Sequence, residues 1–208
     1  MIKNEFKELS LISMKFPELK AILNNKTVGI AGAGGLGSNC AVALTRSGIG
    51  KLVIADFDIV EESNLNRQFY FHDQLGENKV DAIEENLLRI NPDLNISTHF
   101  IKLTCNNIPD VFEHVDVLIE AFDLADQKEM LIETALEYWP ERPLVVGSGM
   151  AGIGNINDLG IKKYGNLYVC GDETEEVGPN NPPLAPRVGI VAHMQADIVL
   201  SILINTCD

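Results

Sequence analysis

The chain has 208 residues, 46% of them hydrophobic and 22% charged, enough to build one domain around a buried core and far from a disordered composition. With 16 Lys and Arg against 30 Asp and Glu the net charge is −14, which argues against nucleic-acid binding, since that relies on clustered cations, and disfavours anionic membrane faces. The four cysteines, Cys40, Cys105, Cys170 and Cys207, are scattered with no CxxC pair, so free thiols in a reducing cytosol are expected rather than a disulfide framework or a zinc tetrathiolate.

In chain order, residues 1–25 read as amphipathic helical pieces broken near Pro17, with mixed charge and no apolar signal-peptide core. Thr27–Ala31 is a short apolar run ending in glycines, as a buried parallel strand should be. Residues 37–47 have helical character, stopped by Gly48 and Gly50, and Lys51–Asp56 is a second apolar strand ending in an acid. Residues 57–78 show no clear period and read as a long functional loop. A helix over 79–91 follows, with Val80, Ile83, Leu87 and Ile90 on one face and Pro92 just beyond. Strands are expected at 95–103, 115–121 and 144–148, with a helix over 125–139. Residues 149–160 form a glycine-rich loop, 161–170 add one or two antiparallel strands, and 171–186 are acidic, proline-rich and irregular. A helix over 187–205 closes the chain. Its apolar stretch is interrupted by His193, Gln195 and Asp197, which suits a buried helix better than a membrane span. The pattern predicts one domain over residues 1–208. Its expected fold is α/β, a doubly wound, Rossmann-like, mainly parallel sheet with helices on both faces and a few antiparallel strands near the C-terminal part. The expected location is the cytoplasm.

Between the first strand and the first long helix lies Gly32-Ala33-Gly34-Gly35-Leu36-Gly37. In this strand-to-helix setting glycines permit the tight turn, the approach of backbone to phosphate, and close helix–strand packing, while the helix N-terminus offers free N–H groups to an anion. Asp56 closes the next strand 24 residues after Gly32, where an acid binds ribose hydroxyls. NAD and ATP both carry that ribose, so the loop and Asp56 leave a dehydrogenase and an ATP-using enzyme equally open.

Residues 56–79 separate the two. Arg67 and Lys79 are two of few cations in an acidic chain, and both flank the loop beyond the second strand. A dinucleotide's pyrophosphate is held by backbone N–H groups alone, whereas a triphosphate losing pyrophosphate needs cations where negative charge builds. Asp123 follows the strand over 115–121. A carboxylate facing phosphates is repulsive unless a metal sits between, so it predicts Mg²⁺. Glu120 and Asp126 read as solvated or capping acids.

These residues resemble the ThiF/MoeB/HesA adenylyltransferases of the ubiquitin-activating-enzyme superfamily. The carriers of the resemblance are the pattern from Gly32 to Gln68, including Ser63-Asn64-Leu65-Asn66-Arg67-Gln68, and then Gly76–Lys79, Ile90–Pro92, Glu120–Asp123, Gly147–Gly149 and Ala185-Pro186. The resemblance implies that Gly32, Gly34, Gly35, Leu36 and Gly37 cradle the phosphates and that Asp56 holds the ribose. It further implies that Asn64, Arg67 and Lys79 bind and neutralise phosphates, and that Asp123, with Asp58, positions Mg²⁺. The implied reaction adenylates the C-terminal Gly-Gly carboxylate of a small ubiquitin-like sulfur carrier protein. The pieces GSGMAG and YVCGD resemble the compact branch tied to thiamin biosynthesis, and a homodimer is a further implication.

Three departures stand out. Cys170 has no CxxC partner, so no zinc is predicted. The stretch Val177–Leu184 just before Ala185-Pro186, where many relatives carry a cysteine, has none, so adenylation without a covalent cysteine step is expected. No arginine precedes Arg46, which leaves Lys15, Lys20 or Arg187 to replace the N-terminal arginine that relatives supply to the site across the dimer. The alternatives are a small NAD-dependent oxidoreductase and a non-catalytic nucleotide-gated binding module. His72, His99, His114 and His193 lack ligand spacing, and Tyr138 and Trp139 read as packing. The 149–160 loop is a candidate channel for an extended Gly-Gly tail, because glycines allow close backbone approach.

Overall fold

The computed structural model describes residues 14–175 and 177–205. Its centre is a seven-stranded sheet built from β1 (Thr27–Ala31), β2 (Lys51–Asp56), β3 (Asn95–Phe100), β4 (Val117–Glu120), β5 (Leu144–Gly147), β6 (Gly160–Tyr164) and β7 (Leu167–Gly171). The strand order is β3-β2-β1-β4-β5-β7-β6. All neighbours run parallel except β6, which returns antiparallel beside β7. The antiparallel element expected in the C-terminal part is therefore present, but β7 itself extends the parallel sheet.

Helices α1 (Phe16–Leu23), α2 (Gly35–Ser47), α3 (Lys79–Ile90), α4 (Ile108–Val111), α5 (Ala125–Tyr138) and α6 (Ala185–Asn205) complete the molecule. Strand residues alternate between two cores, as the two-residue period requires. Val28, Ile30, Leu52 and Ile54 face Leu44, Leu87 and Val199 of α2, α3 and α6. Ala31, Val53 and Ala55 face Phe112, beside α4, and Leu131 of α5. Helices therefore cover both faces, the doubly wound arrangement the sequence pattern predicts. By length and composition α6 is apolar enough to cross a bilayer, yet half of that stretch is buried inside the protein.

Several boundaries differ from expectation for identifiable reasons. Pro17 sits in the first turn of α1, where its missing N–H has no intrahelical partner to lose, so the described helix starts at Phe16. Pro186 does the same in α6, which begins at Ala185 and not at residue 187. The part of the N-terminal helical segment before residue 14 lies outside the described residues. Helix α2 starts at Gly35, two residues early, because Gly34 serves as its N-cap. The four-residue α4 is too short to show a period in sequence. Two short 3₁₀ turns, Glu62–Asn64 and His72–Gln74, order the loop after β2, and Ile59 bridges Asn78.

Register fixes where the loops emerge. Ala31 of β1 lies opposite Ala55 of β2 on one side and Glu120 of β4 on the other, and Glu120 lies opposite Val146 of β5. The carboxyl ends of four parallel strands are thus level. The chain winds from β1 outward to β3, then returns to place β4 on the other side of β1. A crevice opens at that reversal, at the ends of β1 and β4.

Candidate nucleotide-binding site

Gly32 leaves β1 with φ +101°, and a Cβ there would lie 2.8 Å from the Ala121 carbonyl oxygen. A Cβ on Gly37 would lie 1.8 Å from the Gly32 carbonyl oxygen, so α2 is held directly against the turn that launches it. Gly34 caps α2 with no side-chain hydrogen bond. The first-turn N–H groups of a helix have no intrahelical acceptor, and the helix dipole adds positive potential, so this end suits an anion.

Around that turn the side chains are wired to backbone. Asp56 is buried; its Oδ2 accepts the Ala33 N–H at 2.6 Å and its Oδ1 the Asp58 N–H at 2.8 Å. Burial pushes the Asp56 carboxyl up from its ordinary value, against the pull of Lys79 and the two N–H donors. Tyr70, not identified from the sequence, donates its hydroxyl to the Ala33 carbonyl at 2.6 Å. Asn39, also missed, donates to the Gly35 carbonyl at 2.7 Å and the Arg67 carbonyl at 2.9 Å, tying the glycine turn to the next loop. The Ser38 hydroxyl donates to the Gly34 carbonyl and accepts the Phe69 N–H. Ser38 belongs to the recognised pattern and Tyr70 falls just past it, so only their wiring escaped sequence reading.

Among the predicted cations, Arg67 stands beside the turn: a Cβ on Gly35 would lie 3.6 Å from its Cγ. Its Nη1 donates to Ser63 O at 3.0 Å and Asn66 Oδ1 at 2.8 Å. Lys79 is buried at the start of α3, and its Nζ meets Asp58 Oδ2 at 2.8 Å. Asn64 is buried, accepting the Glu61 N–H at 3.1 Å, which shapes the loop that carries Arg67. Asp123 is exposed just beyond β4, across the crevice from the glycine turn.

Glu120 corrects the sequence reading. It is not a solvated acid but fully buried, and Lys128 Nζ contacts both its oxygens, at 2.8 and 2.9 Å, while donating to the Gly147 carbonyl at 3.0 Å. Its Oε1 also accepts the Phe122 N–H, one residue before Asp123. Burial pushes the Glu120 carboxyl up, opposed by Lys128. Asp126, by contrast, is exposed in the first turn of α5 as expected.

Two candidates for the missing arginine are excluded as ligands within one chain. Arg187 is buried and paired with Asp172. Lys20 packs on Gly48, at the far end of α2, about 20 Å from the glycine turn for a helix of 13 residues. Among the described residues no group of three or more His, Cys, Asp and Glu is placed to hold a metal ion.

A doubly wound sheet with an anion-binding helix N-terminus at its reversal and an acid closing the second strand defines a nucleotide-binding protein. The ThiF family model matches residues 7–208, and the chain belongs to that family. It is similar to the adenylyltransferase and sulfurtransferase UBA4 of Eremothecium gossypii, 33% identical over 86% of this chain and 38% of that protein. It is also similar to ubiquitin-like modifier-activating enzyme 5 of Caenorhabditis briggsae, 46% identical over 43% of this chain and 21% of that one. The chain thus spans well under half the length of these relatives. Escherichia coli tRNA N6-threonylcarbamoyladenosine dehydratase, solved with AMP, shares the fold with a TM-score of 0.82 and 19% identity, covering 91% of this chain and 90% of that one.

Proposed function

We propose that this chain uses ATP to adenylate the C-terminal carboxylate of a small ubiquitin-like protein, releasing pyrophosphate. The observation that carries the reading is the placement of Arg67 against the glycine-capped start of α2, which no side chain caps, at the sheet reversal. The names of the two relatives support the same chemistry.

A terminal carboxylate has a reference pKa of about 3.5 and is ionised at neutral pH, so the reaction needs no general base. It needs alignment at the α-phosphate and screening of the charge that builds on the leaving pyrophosphate. The N–H groups of Gly34 to Gly37 hold phosphate oxygens, and Arg67 screens them. Asp58 holds Lys79 in its buried position, from which the amine faces the same anion. Asp56 retains further lone pairs for ribose hydroxyls. Mg²⁺ takes one or two carboxylates together with phosphate oxygens, so the free Asp123 carboxylate fits it. Asp58, engaged with Lys79, is assigned to the lysine rather than to the metal. When bound, Mg²⁺ supplies further neutralisation of the phosphates. Burial pushes the Cys170 thiol up to about 12, and Cys40 is raised likewise, so neither of these two buried thiols is a thiolate at neutral pH.

Within this reading the partner is a sulfur carrier ending in Gly-Gly, serving thiamin thiazole synthesis, and the enzyme is a homodimer. The sulfurtransferase in the name of the fungal relative supports the carrier class, and sedimentation at twice the chain mass checks the dimer.

The test is exchange of labelled pyrophosphate into ATP, dependent on a recombinant ubiquitin-like protein ending in Gly-Gly and absent when those two residues are deleted. Arg67→Ala and Asp123→Ala should each lower exchange about 100-fold or more with folding intact. Full exchange in both variants would remove these residues from the reaction.

A further inference from the structure

Beyond β5 and β7 the same edge of the sheet carries a second construction, which the glycine loop does not explain. Arg187, in the first turn of α6, and Asp172, just past β7, are 5% and 3% exposed in their side chains and form an ion pair. Arg187 Nη1 also donates to the Gly154 carbonyl, in the middle of the 149–160 loop. Its Nε is buried with no partner among the described residues. Asp172 Oδ1 accepts the Thr174 and Glu175 N–H groups at 2.8 and 2.9 Å. Burial would raise the Asp172 carboxyl, but those donors and Arg187 hold it below its ordinary value. One side chain therefore ties three segments together: the loop after β5, the strap after β7 and the first turn of α6.

These segments stand beside the nucleotide cradle. A Cβ on Gly35 would lie 3.0 Å from Val188 Cγ1, and Val188 follows Arg187 directly. Asn66 Nδ2 reaches the Pro183 carbonyl at 3.4 Å, joining the strap to the loop that carries Arg67. The strap and loop also bond each other, Gly152 N–H to Pro182 O at 3.1 Å and Ala151 N–H to Glu175 O at 3.3 Å. Asp56 and the glycine turn take the β2 and β1 side of the crevice, which leaves the β5 and β7 side for a second substrate. The tied segments form that side.

We infer that Arg187 is a positioning residue for the acyl substrate: it latches the 149–160 loop and the 172–184 strap into one rigid wall along which an extended C-terminal tail is aligned. This rests on the adenylation reading for the identity of the tail, but the latch itself is testable without it. Among the described residues the Arg187 side chain contacts Asp172 and Gly154 and no group of the nucleotide cradle, so its loss is expected to act on the second substrate more than on ATP.

The experiment uses the full chain with Arg187→Gln, Asp172→Asn and Arg187→Lys, each checked for folding by circular dichroism. Hydrogen exchange should speed up over 149–160 and 173–175 together in Arg187→Gln, with β1 and β2 unchanged. Arg187→Lys keeps a charge for Asp172 but loses the second arm to Gly154, so exchange should rise in 149–160 alone. Asp172→Asn covers the case in which Arg187→Gln does not fold. In pyrophosphate exchange the KM for a recombinant Gly-Gly-terminated ubiquitin-like protein should rise about 10- to 100-fold, the scale of a small misplacement, while the KM for ATP stays within about twofold. Unchanged exchange in the loops, or an ATP KM that rises as much as the protein's, would overturn the latch. If wild-type protein activates no such carrier, the adenylation reading fails, and the exchange pattern still decides the latch.

Discussion

The carboxyl edge of the sheet is built in two ways. On the β1 and β2 side the backbone does most of the holding: glycines bring α2 onto its turn, and Asp56, Tyr70 and Asn39 each grip main-chain groups a short distance away. On the β4, β5 and β7 side buried ion pairs, Glu120 with Lys128 and Asp172 with Arg187, tie separate segments to each other. The first construction cannot take a Cβ at Gly32 or Gly37 without backbone movement. The second is as tightly packed, since a Cβ on Gly171 would collide with the Ser148 carbonyl, and it also fails when one ion-pair partner is removed, because a charge is then left buried alone. The difference suits the two substrates of the proposed reaction. A phosphate chain is met by fixed dipoles, whereas a protein tail needs a wall assembled from several loops.

The largest expected effect breaks the first construction. Gly37→Ala forces a methyl to within 1.8 Å of the Gly32 carbonyl oxygen, a contact that only backbone movement relieves. Stability should fall by about 4 kcal/mol or more, measured by urea unfolding, and ATP binding should be lost with it. A variant with wild-type stability would show that α2 does not need this approach.

The second construction breaks next. Lys128→Met leaves Glu120 fully buried without its cation and should cost roughly 2 to 4 kcal/mol at pH 7, discounted because Lys128 itself is 20% exposed. The sign with pH follows from the raised Glu120 carboxyl. Below its folded pKa the acid is neutral and no longer needs the amine, so the loss should shrink as pH is lowered from 8 toward 5. Adding Glu120→Gln should recover part of it. A loss that grows on acidification would contradict this account of the pair.

The two constructions were unequally legible in sequence, for the same physical reason. Fold class and glycine cradle were readable because their residues are contiguous: strand, turn and helix follow within 21 residues, and Arg67 and Lys79 lie close behind. The ion pairs were not, because pairing is a property of the assembled sheet. Glu120 looks like a surface acid beside Asp123 until β4 is seen between β1 and β5. Arg187 looks like a free cation until β7 is placed parallel to β5, bringing Asp172 to the start of α6.

The smallest expected effect sharpens the contrast by separating binding from stability at one residue. Asp56 is buried and its carboxyl lies above the ordinary 3.8. If ionised Asp56 accepts ribose hydroxyls, ATP affinity falls on acidification, beginning at a higher pH than an exposed aspartate would dictate. Asp56→Asn should bind ATP about tenfold more weakly at pH 7, a difference of ~1.4 kcal/mol, and lose that part of the pH dependence. Folding responds with the opposite sign. Between the unfolded pKa and the raised folded one, the native state holds more protons than the unfolded state, so acidification through this window increases Asp56's contribution to stability. Wild type minus Asp56→Asn should therefore gain in unfolding free energy over the same pH range in which it loses its advantage in ATP affinity. An affinity difference that stays flat over that range while the stability difference changes would mean that Asp56 serves only the Ala33 turn and makes no contact with nucleotide.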